Sequence, residues 1–355
     1  MATTRWILLL AALLVAAAES ARPSPRASRL PESIERFLAS VVRPTSAERD
    51  LLLRGSPIAK LLESDPGLEV AVFGAIWIKA APAKYVAAVK DIERFERGGA
   101  FRITRRISAP PRLEDFAEMT LPEEDVRDLK ACRVGDCQVK LGQSQIERFR
   151  ASVDWTKPTA KADAERVFRQ IAFESVAGYL EGGNGRLAVY RDHLRPASVA
   201  SEFESMLERM PSLAESLPSV RQYLLGYPNA VLPGSVDFLY WQETTFGLKP
   251  TIRISHVVIE ESEKETVVAS KMLYASHYFC TGLELRVLVP DPARGSGFWF
   301  INVNRSRSDG LSGFTGRLIR GRVRSGVADG LLSALTATKI RLESQTPQGA
   351  SSLLH

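Results

Sequence analysis

Cysteine and histidine are scarce in this chain, at three and four residues out of 355. Only one closely spaced cysteine pair exists, Cys132 and Cys137 in ACRVGDCQ, so no second pair completes a zinc site. The spacing is also wrong for a redox Cys-x-x-Cys. One of the four histidines is the last residue, which leaves little acid–base equipment. G-x-S-x-G, H-E-x-x-H, Walker A and a credible S-x-x-K are all missing, and the usual nucleophile, metalloprotease and phosphate-loop readings go with them. After the opening stretch no apolar run is long enough for a membrane span. Aromatic–basic motifs are lacking too, so nucleic acid is not an expected partner.

What remains is ordinary globular material, 45% hydrophobic and 25% charged, long enough for one large domain or two modest ones. The net charge of +6 comes from arginines scattered along the chain, which describes a solvated mixed surface. That surface also suits an anionic envelope as a second class of partner.

The opening MATTRWILLLAALLVAAAES has one early Arg, an apolar run over residues 6–18, and then small residues. The run falls short of the roughly 20 residues a spanning helix needs, and reads as a signal peptide over 1–21. No cysteine stands at the cleavage point, so no lipid anchor is expected; an uncleaved anchor is the alternative. The mature chain is expected to be soluble and exported, periplasmic or secreted. In an oxidising compartment Cys132 and Cys137 read as a short-loop disulfide, with Cys280 left as a buried thiol.

Residues 22–67 read as a tether rich in Pro, Ser and Arg with one short helix, marked by Ile34, Phe37, Leu38 and Val41. A single folded domain is expected over 68–345, followed by a disordered tail over 346–355. LEVAVFGAIWIKA is a strand pattern apolar on both faces, and Pro82 opens a helix striped by Tyr85, Val89, Ile92 and Phe95. FRITRRI alternates as a strand. From about 113 to 230 the pattern is helical, an insertion in which Thr120 is placed to cap LPEEDVRDLKA. SVDFLYWQETTF, TIRISHVVIEE, ETVVASKMLYASHYF, GLELRVLVP and GFWFINVNR are then five strand candidates whose short connections favour antiparallel hairpins. A last helix, expected to begin near Arg324, carries Ile319, Val323, Val327, Leu331, Leu335 and Leu342 near one stripe. The fold class is α+β, an antiparallel sheet wrapped on a long C-terminal helix with a helical insertion.

That element order resembles the order in START-like, helix-grip proteins, over about 69–107 and 236–343. The resemblance implies a sheet gripping the last helix around an apolar cavity. It carries over no site residues, because no residue motif of that family is matched. The segment LPEEDVRDLKACRVGDCQVKL is similar to one in exported bacterial proteins, which implies a compartment and no chemistry.

His256 shares a strand face with Ile252, Ile254 and Val258; His277 shares one with Leu273, Ala275 and Phe279. A turn near 261–264 sets His256 close to Ala269, and some seven residues, on the order of 23 Å, then separate the two histidines. They cannot share an ion, and His277 is expected to be a packing residue bonded through one ring nitrogen to a hydroxyl such as a tyrosine's. Glu243 follows Leu239 and Trp241 with period two, so Glu243 and His256 are the catalytic candidates, as an acid–base pair. NRSRSDGLSGFTGR sets Arg305, Arg307 and Arg317 in a loop suited to an anion, against the plainer reading of a solvated turn. Trp77, Tyr240, Trp241, Tyr274, Tyr278 and Trp299 stand in strands apolar on both faces and are the candidate ligand-binding residues. No metal and no cofactor are expected. The favoured function is an exported protein that binds an apolar or amphipathic, lipid-like small molecule in a sheet/helix cavity. The alternatives are an envelope structural or protein-interaction module, and a hydrolase or isomerase using Glu243 and His256.

Overall fold

The computed structural model describes residues 29–65, 67–245, 249–308 and 313–344. The expected signal peptide and the tail over 346–355 lie outside the described residues; Arg317 of the expected anion loop falls within the C-terminal helix, and its side chain is outside the described set.

Among the described residues one sheet of eight antiparallel strands organises the chain. Its members are β1 (Ile58–Leu61), β2 (Glu69–Ile78), β3 (Phe101–Ile107), β6 (Val236–Thr244), β7 (Thr251–Glu261), β8 (Thr266–Ala275), β9 (Thr281–Pro290) and β10 (Phe298–Arg307). They lie in the order β1-β2-β10-β9-β8-β7-β6-β3. A two-stranded ribbon, β4 (Val189–Tyr190) and β5 (Ala197–Ser198), stands apart. The five strands β6 to β10 follow one another as hairpins, as their short connections require. Strand β2 reads Val-Ala-Val-Phe-Gly-Ala-Ile-Trp-Ile because both faces of the sheet are covered and neither needs polar side chains.

One face receives α3 (Pro82–Lys90), α4 (Ile92–Phe95) and the C-terminal helix α11 (Gly313–Ser344). Tyr85, Val86, Val89 and Ile92 pack there on Ile76, Phe238, Tyr240 and Phe300, together with Leu335 and Leu342. Gly74 admits α11: a Cβ at that position would come within 2.8 Å of both Leu331 and Leu335. The order strand, two helices, hairpin sheet, terminal helix on the sheet is the helix-grip-like α+β arrangement. Helix α11 begins at Gly313 rather than near Arg324; the side chains of Ile319 and Val323 are outside the described set.

The opposite face carries everything else. Helices α5 (Glu123–Ala131), α6 (Gln143–Ser152) and α7 (Ala160–Gly182) cover its β6–β7 end, with Val167, Phe168, Ile171 and Val176 of α7 set on Trp241, Ile252, Ile254 and Leu273. Helix α5 starts after Pro122, without a side-chain cap from Thr120, and its first turn holds Glu123, Glu124 and Asp125. Cys132 and Cys137, just beyond α5, form a disulfide-compatible pair with Cα atoms 4.5 Å apart, and Cys280 is buried elsewhere.

The β2–β10–β9 end of this face is covered by α8 (Val199–Glu208), α9 (Pro211–Ser216) and α10 (Pro218–Gly226), and by the N-terminal segment. That segment is no tether from residue 30 on. Helix α1 (Glu32–Phe37) runs into a π-helical turn, Leu38–Val42, and then α2 (Ser46–Leu53), which begins with a Thr45/Glu48 capping box. Leu30, Ile34, Leu38, Val42, Leu52, Ile58 and Leu62 are all buried in one core with the sheet. A short, locally weak helix holds here because tertiary burial, not propensity, supplies its stability.

Candidate functional site

The π-helical turn and α9 both pack on the same face of the sheet. Between them lies a cleft of about 850 Å3, on the face away from α11. Leu285, Val287, Val289, Ile301 and Val303, from β9 and β10, make its floor. One wall is Ile34, Phe37, Val41 and Val42; the other is Met210, Pro211, Leu213 and Leu217. The π turn widens the helix by one residue, and so presents Val41 and Val42 together. It closes at Arg43, left-handed at φ 50°, whose carbonyl oxygen accepts from Lys60 Nζ at 2.8 Å. The volume lies within the roughly 300–1,000 Å3 typical of small-molecule sites, and the lining has their mostly apolar character.

Charged residues also line the cleft: Arg43, Glu63, Asp65, Arg209, Glu265 and Arg305. Asp65 and Arg209 pair across one edge at 3.4 Å. Glu265 stands at another edge, its carboxyl pushed up by burial and by neighbouring Glu260. Arg305 closes a third side; its guanidinium donates to Glu69 Oε1 at 2.7 Å and to the Glu63 carbonyl at 3.1 Å. Arg307, two residues on along β10, donates to Glu202 of α8 at 2.6 Å. Both arginines therefore belong to the strand and to buried ion pairs, not to the expected anion loop.

The two catalytic candidates are not brought together. Register sets Leu239 opposite His256, and Glu243 opposite Ile252. Glu243 instead accepts from Arg102 at 2.8 Å. Across the other hairpin His256 faces Lys271, while Ala269 faces Val258. His256 is 1% exposed, with Nδ1 2.9 Å from the Tyr179 hydroxyl and Nε2 2.9 Å from Asp237. Burial lowers the imidazole's pKa. The fitting arrangement is a neutral ring that accepts from Tyr179 and donates to Asp237, whose own carboxyl His256 holds low. Tyr223 also donates to Asp237, at 2.7 Å.

Lys271, beside His256, went unnoticed in the sequence because it sits inside an apolar strand run. It is fully buried, and donates to Asn184 Oδ1 and, at 3.3 Å, to the Leu224 carbonyl. The faces of Phe203 and Tyr179 lie 4.4 and 5.2 Å from its Nζ. Desolvation pushes its pKa down to about 7. The group ties the sheet to α7, α8 and α10, and does not line the cleft.

His277 lies beyond the end of β8, in the bend before β9. Its partners are the Gln138 carbonyl at 3.0 Å and both oxygens of buried Asp125 at 3.0 Å, rather than a tyrosine hydroxyl. It pins α5 to the end of β8.

The six aromatic candidates are dispersed, and none lines the cleft. Trp77 and Trp299 meet edge to face at 5.3 Å, with Arg294 over both rings. Tyr240 is buried on the α11 face, and Trp241 is buried under the insertion, donating to the Asp115 carbonyl at 2.8 Å. Tyr274 borders a small void of about 30 Å3 under α7. Tyr278, at φ 64°, accepts through its hydroxyl from the Lys249 amide.

Among the described residues no helix is long and apolar enough to cross a membrane, and no group of three or more His, Cys, Asp or Glu is placed to hold a metal ion. No protein-family model, curated protein or solved structure matches this chain.

Proposed function

We propose that the protein is an exported binding protein for an apolar or amphipathic small molecule, taken up in the cleft between the π-helical turn and α9. The observation that carries the reading is the cleft itself: about 850 Å3 over an aliphatic floor, with a mostly apolar lining. Such a surface gains from covering apolar area, at roughly 25 cal/mol per Å2. The site lies on the opposite side of the sheet from the cavity that the helix-grip resemblance implies. The disulfide-compatible pair supports an oxidising compartment. The acid–base alternative finds no such support, because both nitrogens of buried His256 are occupied and Glu243 is engaged elsewhere.

The test is displacement of a solvatochromic apolar dye, together with mass spectrometry of small molecules that copurify with the mature protein. Leu217→Trp, which adds bulk at a half-buried position of one wall, should abolish dye binding while leaving the circular dichroism spectrum unchanged. Full dye binding by a folded Leu217→Trp protein would show that the cleft is not the site.

A further inference from the structure

Arg305, which lines the cleft, belongs to a buried cluster behind it that holds more hydrogen-bonding capacity than its own residues use. Glu69, Arg305 and Arg307 are 2%, 6% and 5% exposed. Arg307 stands directly across from Glu69 in the β2–β10 pairing, and Arg305 precedes it on the same strand face. Glu69 Oε2, Arg305 Nε and Arg307 Nη1 are each buried and bond to no other protein group. A buried donor or acceptor left in that state is expensive, and most such atoms in folded proteins are satisfied. Here one acceptor and two donors are left in a single cluster, and Arg305 of that cluster lines the cleft.

The charge balance restricts what can satisfy them. Arg305 is paired with Glu69 and Arg307 with Glu202, so the cluster carries two positive and two negative groups. A carboxylate or ammonium brought against it would leave one buried charge uncompensated, at a cost an apolar chain does not readily repay. An uncharged head that both donates and accepts matches the unused atoms. A hydroxyl can donate to Glu69 Oε2 while accepting from an arginine N–H.

Resting on the cleft being the binding site, we propose that its ligand is an apolar molecule with an uncharged hydroxyl head. The head seats on the Glu69–Arg305–Arg307 cluster, and the chain lies along the floor of β9 and β10. Long-chain alcohols and monoacylglycerols are ligands of this class; fatty-acid anions and quaternary amines are not.

The experiment titrates the mature protein with decanol, decanoate and decyltrimethylammonium at pH 8, measuring each by competition with the apolar dye. Decanol should bind at least about tenfold tighter than either ion. Glu69→Gln leaves the cluster with one excess positive charge, and should move the preference towards decanoate. If Glu69→Gln does not fold, Glu202→Gln, whose carboxylate is partly exposed, makes the same change of charge and should move the preference the same way. Equal binding of the three heads, tighter binding of an ion by the unaltered protein, or a preference that neither Gln variant moves overturns the head-group assignment and leaves the cleft as the site. Failure of all three to displace a bound dye, with Leu217→Trp still binding that dye, removes the cleft reading itself.

Discussion

Replacing Lys271 with Met should stabilise the protein at neutral pH, and the gain should shrink as pH rises. The amine is fully buried, has no carboxylate partner among the described residues, and is pushed down from 10.5 to about 7. In the unfolded chain it titrates near 10.5, so between pH 7 and 10.5 the unfolded state holds more protons, and stability rises with pH across that window. Below pH 7 the lysine is charged in both states and the full penalty is present. A displacement from 10.5 to about 7 corresponds to about 5 kcal/mol between the two protonation states. Asn184, the Leu224 carbonyl and the two ring faces all favour the ammonium, so about 5 kcal/mol is an upper bound on the penalty.

The informative quantity is the difference between Lys271→Met and the parent in urea unfolding at several pH values. Packing changes add a constant to that difference; only the titration of Lys271 gives it a slope, approaching about 1.4 kcal/mol per pH unit. Neighbouring His256, whose pKa is lowered, and Tyr179, whose pKa is raised, are present in both proteins, so their own titrations cancel from the difference to first order. A difference that stays flat from pH 7 to 10 would refute the claim that the buried amine loses its proton there.

Two further outcomes follow from the contacts around α5. His277→Gln leaves the buried Asp125 carboxylate without its main partner, so it should lower unfolding stability by about 3 kcal/mol, and adding Asp125→Asn should recover part of the loss; strictly additive losses would show that the two side chains do not act as a pair. Thiol titration of denatured, unreduced protein should find one reactive cysteine, Cys280, and three would mean that Cys132 and Cys137 are not bridged.

The sheet was legible because its strands announce themselves locally. Period-two alternation marks β3, and runs apolar on both faces mark β2 and β6 to β10. Register was less legible. The tight turn is 262–265, between the pair Glu261 and Thr266, one residue later than the expected 261–264. That single step moves the partner of His256 from Ala269 to Lys271, because a hairpin doubles any error in its turn. Arg305 and Arg307 were misread for a different reason. Asn, Arg and Ser have loop composition, yet Val303, Arg305 and Arg307 keep strand alternation through to the end of β10. Only their pairing with Glu69 and Glu202, far away in sequence, reveals why charges are tolerated inside.

The cleft was invisible in the sequence for a reason of chain geometry. Its floor is ordinary aliphatic strand, indistinguishable by residue type from the covered floor beside it. What leaves it open is the shortness of its two walls. The π-helical turn stops at Arg43, before Pro44, and α9 has six residues between Met210 and the turn into Pro218. A proline cannot donate to the preceding helical turn and disfavours helix in the residue before it, so neither wall extends across β9 and β10. Longer helices on either side would have closed over Leu285, Val287 and Ile301, as α7 closes over Ile252, Ile254 and Leu273. On this argument the prolines shape the site as much as its lining does. The residues that bound the two walls of the cleft are Pro44, Pro211 and Pro218, whereas Trp77, Tyr240, Trp241 and Trp299 are buried in the cores of the sheet.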